Sequence, residues 1–117
     1  MNSQETLVEV KVFQNLVQDF GLSDTRKLMA SMEYEWQKHI KNICLAIEER
    51  SLETLAKAAA TLQNIALLSG AYKLADLLAK LESAAIRQYE DAFTLAQNAL
   101  NLADMTRFAY QDMKLTG

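Results

Sequence analysis

Apolar residues recur at intervals of three and four along most of this chain, the spacing of helices that bury one stripe. The first stripe is Leu7, Val10, Phe13, Leu16, Val17 and Phe20. It predicts a helix, α1, over about residues 4–20, with Ser3 as N-cap, Glu5 placed to favour the helix dipole, Gly21 at C′ and Leu22 as the apolar contact beyond it. Ser23 or Asp24 then caps α2, about 24–49, whose stripe of Met29, Met32, Trp36, Ile40, Ile43 and Ile47 puts Trp36 at the centre of a core. Ser51 as N-cap and Glu53 in the first turn open α3, about 52–69, with Leu55, Ala59, Leu62 and Ala66 inward and Leu52, Ala58 and Ile65 beside them. Gly70 ends it as a C′ glycine. In α4, about 71–87, Leu74, Leu77, Leu78, Leu81 and Ala85 face inward; in α5, about 90–113, Ala92, Phe93, Ala96, Ala99, Leu100, Ala103 and Tyr110 do. No glycine or proline marks the boundary between α4 and α5, which is placed near Gln88.

Short connections make successive helices antiparallel neighbours. The expected fold is therefore all-α: one domain over residues 1–117, an up-down four-helix bundle of α2 to α5, with α1 as an additional N-terminal helix that caps one end or packs across it. Composition agrees. Half of the 117 residues are apolar, 23% are charged and proline is absent, as in a globular helical chain. A net charge of −3 argues against nucleic acid as partner, since phosphate binding needs a basic face. Cys44 is the only cysteine, so neither an internal disulfide nor a cysteine metal cluster is expected. The chain reads as lacking a signal peptide and any apolar run long enough to span a bilayer, and a cytoplasmic location with no membrane association is expected.

The stretch from Leu52 to Glu82 carries a specific pattern. Ala59-Ala60-Thr61-Leu62-Gln63-Asn64 leads at fixed spacing to Ser69-Gly70-Ala71, then to Leu74, Leu78 and Leu81-Glu82. This resembles the core of histidine-containing phosphotransfer (HPt) domains, and the resemblance extends over roughly Leu7 to Ser83. In that family a phosphorylatable histidine follows a small residue. An aliphatic residue comes two positions later, a lysine three later, a small residue four later, and a helix-closing glycine ten later. Gly70 sets the register, which puts Leu62 at the aliphatic position and Ala60 where the histidine would stand. Gln63 replaces the lysine, and Asn64 the small residue. The resemblance implies a four-helix bundle with an extra N-terminal helix and a partner of the response-regulator receiver class. The departures remove its chemistry: an alanine methyl has no lone pair with which to attack an aspartyl phosphate.

Lys57, Ala60, Asn64 and Leu67 follow helical spacing and share a face of α3 turned away from Leu55, Leu62 and Ala66. It reads as a docking surface, with Ala56, Ala60 and Leu67 at an apolar centre and Lys57, Gln63, Asn64 and Lys73 on its rim. Set against this is an ordinary helix surface carrying two solvent-tolerant apolar residues. His39, the sole histidine, lies beside the α2 stripe and reads as a partly buried structural residue rather than a relocated phosphoacceptor or a metal ligand. Cys44 reads as a small core residue, and Met29, Met32, Met105 and Met113 as core filler. Glu48-Glu49 and Glu90-Asp91 read as solvated charge at helix ends. No catalytic grouping, phosphate cradle or cofactor motif is recognisable, so no enzyme and no cofactor are expected.

The function these features point to is a pseudo-HPt protein. It would bind the receiver domain of a response regulator or hybrid histidine kinase and modulate a phosphorelay without carrying phosphate. One alternative is a working phosphotransfer protein whose histidine has been replaced by Ala60. Another is a helical interaction module outside phosphorelays, self-associating through the α5 tail of Phe108, Tyr110 and Met113. A monomer is expected, with a dimer as the alternative.

Overall fold

The computed structural model describes residues 7–116, and side chains as far as Asp112. These residues form five helices and no strand: α1 Val10–Phe20, α2 Leu22–Glu49, α3 Leu52–Leu68, α4 Tyr72–Ile86 and α5 Asp91–Thr116. α3 lies between α2 and α4, α4 packs on α5, α2 also meets α5, and α1 rests on α2. One core joins α2 to α5 through Trp36, Ile43, Leu55, Leu62, Leu74, Leu78, Leu81 and Phe93. Alanines fill the places between, Ala59 and Ala66 on α3 and Ala92, Ala96, Ala99 and Ala103 on α5, and their short side chains let the helix backbones approach. Each buried leucine stabilises the fold by about 2 kcal/mol relative to exposure.

The ends of three helices share one device. Arg50, Gly70 and Gln88 follow α2, α3 and α4 with φ of 54°, 83° and 64°. In each case the next residue donates its N–H five residues back: Ser51 to Ala46, Ala71 to Ala66 and Tyr89 to Ala84, at 2.8–2.9 Å. These are Schellman endings, which satisfy carbonyls that a helix terminus leaves unpaired. Only Gly70 announces itself by residue type. Ser51 caps α3 as expected: its Oγ accepts the Thr54 N–H at 3.2 Å and donates to Thr54 Oγ1 at 2.9 Å.

α1 departs most from expectation. It starts at Val10 rather than near residue 4, because Glu9 donates its N–H to the Gly70 carbonyl at 2.9 Å and leaves helical register. Glu9 is the cap, its carboxylate accepting the Lys11 N–H at 3.2 Å. Ser3 and Glu5 lie outside the described residues. Phe13 is buried, whereas Val10 and Phe20 are exposed, since α1 covers only a narrow strip of its neighbour. Gly21 serves both helices: α2 begins at Leu22 with no side-chain cap, so neither Ser23 nor Asp24 has that role. Leu22 is itself exposed rather than a closing contact.

Two expectations for core residues fail by rotation about the helix. Cys44 is exposed, turned about 100° from buried Ile43. Met105 is 56% exposed on the outer side of α5, while Met29 is buried. The side chain of Met113 lies outside the described residues. α3 and α4 are each slightly shorter than expected, and α5 runs past residue 113 to Thr116.

Candidate functional site

Ala60 lies on the outward side of α3, half-buried, with Ala59 and Leu62 on the buried side beneath it. It borders an open groove of about 560 Å³ between the first half of α3 and the end of α4. Ala56, Lys57 and Ala60 form one wall, with Leu52 and Glu53 at its start; Glu82, Ala85, Ile86 and Gln88 form the other. The groove exists because its floor is built from alanine: Ala56 and Ala60 are half-buried and Ala85 is almost wholly enclosed. Ile86 stands at the lip, 64% exposed, an apolar side chain held in solvent at the rim of a recess.

Charge around the groove is mixed. Lys57 Nζ lies 3.5 Å from Glu53 Oε2, an exposed pair one helical turn apart. Beyond the α4 end, Arg50 reaches across from the α2–α3 turn. Its Nη2 donates to Glu90 Oε1 at 2.6 Å, and its Cζ sits 4.0 Å from the centroid of the Phe93 ring. Ion pairing and a cation–π contact thus pin the turn beside the groove to α5.

The expected docking residues divide into two groups. Ala56, Lys57 and Ala60 come together in the groove. Gln63, half-buried, and Asn64 and Leu67, both exposed, continue along α3 beyond it. Lys73 is exposed in the first turn of α4, at the other end of that helix from Ile86. Sequence reasoning missed the opposite wall. Ile86 falls about 100° from Ala85 on α4 and so off the buried stripe, a signal present in the spacing. Its position across from Ala60 depends on how α3 and α4 cross.

The groove lining holds no serine, threonine, cysteine or histidine, and Thr61 beside it donates its hydroxyl to the Lys57 carbonyl at 3.1 Å. The arrangement offers apolar, amide and charged contacts, with no imidazole, hydroxyl or thiol in the lining. His39 is a half-buried residue of α2, its Nε2 3.6 Å from Glu35 Oε1 and its Nδ1 enclosed without a hydrogen-bond partner among the described residues. No three described His, Cys, Asp or Glu side chains converge as a metal site requires. No described helix is long and apolar enough to cross a membrane.

A second constellation lies around the α3–α4 turn. Tyr110 of α5 donates its hydroxyl to the Ser69 carbonyl at 2.7 Å, and its ring meets Trp36 edge-on at 5.7 Å. Burial pushes the Tyr110 hydroxyl up to about 12. The next carbonyl along, that of Gly70, accepts from Glu9. The turn therefore joins α1 and α5 to the core.

No family model, no curated protein and no solved structure matches the chain.

Proposed function

We propose that this chain is a protein-docking module of the HPt kind that carries no phosphate. In this reading α2 to α5 are the up-down four-helix bundle of that family and α1 is its additional N-terminal helix. The partner is the receiver domain of a response regulator or hybrid histidine kinase in the cytoplasm. Binding covers the receiver's aspartate face, and so excludes a phosphate-carrying partner or holds one receiver conformation. The observation that carries the reading is the placement of Ala60. The residue that stands for the phosphoacceptor in the resemblance borders an open, alanine-floored groove with an exposed isoleucine at its lip, and no histidine lines that groove. Docking strength in such a surface comes from apolar contacts enclosed by a polar rim, not from a reactive group.

A second reading shares the surface. The groove beside Ala60 has room for an imidazole, as expected were alanine a replacement for a native phosphoacceptor histidine. Ala60→His separates the two. A chain that lost only its histidine regains phosphoryl transfer from a phosphorylated receiver, whereas in a docking module the new ring obstructs the groove and weakens binding.

The deciding measurement is a titration of the protein against receiver domains of its source organism, with and without an aspartyl-phosphate mimic. Micromolar or tighter binding to one receiver is expected. Ala60→Arg, which fills the groove, and Leu67→Asp and Asn64→Arg farther along α3 should each weaken it at least tenfold. No binding to any receiver by a correctly folded protein would overturn the proposal.

A further inference from the structure

α1 and α2 are joined by a single residue. Gly21 closes α1 by donating its N–H to the Val17 carbonyl at 2.8 Å, and opens α2 by accepting the Thr25 N–H at 3.1 Å. Its φ of 86° and ψ of 161° lie in a region that in practice only glycine occupies. A Cβ at this position would meet nothing within 4 Å. Backbone conformation alone, not lack of space, therefore excludes other residues.

Phe13 and Met29 are buried, yet outside the core that joins α2 to α5. A partly open recess of about 10 Å³ is lined by Val12, Phe13 and Leu16 of α1 with Met29, Met32 and Tyr110 opposite. Beside it a recess of about 40 Å³ lies between α2 and α5, lined by Met29, Met32, Glu33, Trp36, Arg107 and Tyr110 and by no residue of α1. Thr25 is fully enclosed on α2, and its Oγ1 has no hydrogen-bond partner among the described residues. Among the described residues, α1 and its lead-in are held by buried Val8 and Phe13, by Val12 against Gly70 and by the Glu9–Gly70 hydrogen bond.

We propose that Gly21 is a hinge, and that α1 of one chain can leave its seat and occupy the identical seat on a second copy, forming a domain-swapped dimer. The fitting occupant is a second copy because the seat is already shaped to this helix: Met29, Met32 and Tyr110 meet Phe13 and Leu16 around the smaller recess. The swapped contacts are those of the monomer made between chains. If Gly21 turns helical, Val10 to Glu49 becomes one rod about 60 Å long at 1.5 Å per residue, against 43 Å for the longest dimension of the folded chain. α1 then stands clear of its own seat, and only another chain can fill it. A one-residue connection is the kind of short hinge at which such exchange occurs.

The test compares Gly21→Ala with Gly21→D-Ala, the latter assembled by chemical ligation at Cys44. Each adds one methyl to Cα, the L-methyl into space that is open within 4 Å, and the two prefer opposite signs of φ. Light scattering across a concentration series should show Gly21→Ala at twice the 13.2 kDa chain mass. Its midpoint concentration for dimerisation should be at least tenfold below that of the wild type, while the D-Ala chain stays monomeric. Equal masses for the two variants throughout would overturn the proposal. In the Gly21→Ala background, Phe13→Asp spoils the helix and Met29→Asp spoils the seat. Each alone should be monomeric, and their mixture should form a heterodimer through the one intact pairing. Dimers that persist in each variant alone would place the contact elsewhere and refute the swap. Should Gly21→Ala fail to fold, wild-type protein refolded from urea at millimolar concentration should yield the dimer and the D-Ala chain should not; equal yields would refute the hinge.

Discussion

Gly70→Ala tests the strongest demand the fold makes on one residue. Gly70 has φ +83°, and a Cβ built there would lie 3.0 Å from Val12 Cγ2, 3.1 Å from the Glu9 carbonyl oxygen and 3.2 Å from Val12 Cβ. Three costs combine. An L-side chain in the left-handed region costs about 1 kcal/mol. Val12 can turn its Cγ2 away at a cost of about 0.5–1.5 kcal/mol, but its Cβ is fixed to the α1 backbone and moves only with it. The Glu9 oxygen belongs to the backbone, and moving it disturbs the Glu9 N–H to Gly70 carbonyl bond of 2.9 Å, a contact of about 1 kcal/mol net. Alanine returns about 0.5 kcal/mol by restricting the unfolded chain. The expected net loss is about 2–3 kcal/mol, read as a lower urea midpoint at unchanged slope. It corresponds to roughly 8–12 °C in Tm, at about 4 °C per kcal/mol for a domain of this size. Adding Val12→Ala to Gly70→Ala should recover only part of the loss, because the carbonyl contact remains. A loss below about 0.5 kcal/mol, or full recovery in the double variant, would refute the argument that backbone apposition makes glycine necessary here.

Three further outcomes are expected. Gln88→Gly should stabilise the protein by about 0.5–1 kcal/mol, because Gln88 holds φ 64° after α4, where glycine escapes the Cβ penalty; unchanged urea stability would contradict this. Ser51→Ala should cost about 1 kcal/mol in the same assay, since Ser51 Oγ is the side-chain acceptor at the start of α3. Tyr110→Phe should cost about 1 kcal/mol near neutral pH by removing the 2.7 Å bond to the Ser69 carbonyl. Tyr110 also predicts a pH dependence. Its hydroxyl is raised to about 12 in the fold from about 10 unfolded, so its stabilisation is complete below pH 10 and is lost as pH rises through 12. The stability advantage of wild type over Tyr110→Phe should shrink across that window; a constant difference would mean that Tyr110 is not desolvated.

What was legible in the sequence is what local chemistry decides. The order of the five helices, the cap at Ser51, the ending at Gly70 and the burial of Trp36 and Leu62 all follow from spacing and residue type. The start of α1 was not legible, because Glu9 is drawn out of helical register by the carbonyl of Gly70, far along the chain. Spacing puts the break after α4 near Gln88 without giving its cause. A Schellman closure there is made by the Tyr89 N–H and the Ala84 carbonyl, and it holds a glutamine where glycine would be expected. Cys44 was misplaced because it adjoins a buried stripe without belonging to it. One wall of the groove was legible from helical spacing on α3. The other, Glu82 to Gln88, required the crossing of two helices, which no periodicity encodes.

The groove also bears on what loss of a reactive residue would do to such a surface. Its floor is alanine at 56, 60 and 85, and its volume is space that larger side chains would occupy. An imidazole at position 60 would stand within that space, so the groove as it is and a phosphoacceptor at its wall are alternatives in geometry as well as in chemistry. In the proposed reading, alanine in place of a histidine takes away the phosphoacceptor and leaves open a concave apolar contact beside Ile86, whose exposure costs free energy until something covers it. Under the docking proposal, the change that ends phosphoryl transfer also strengthens passive binding. Affinity for the receiver should then fall steadily as residue 60 grows from alanine through valine to phenylalanine, with the fold intact. An affinity that rose with side-chain size would mean that the partner does not enter the groove.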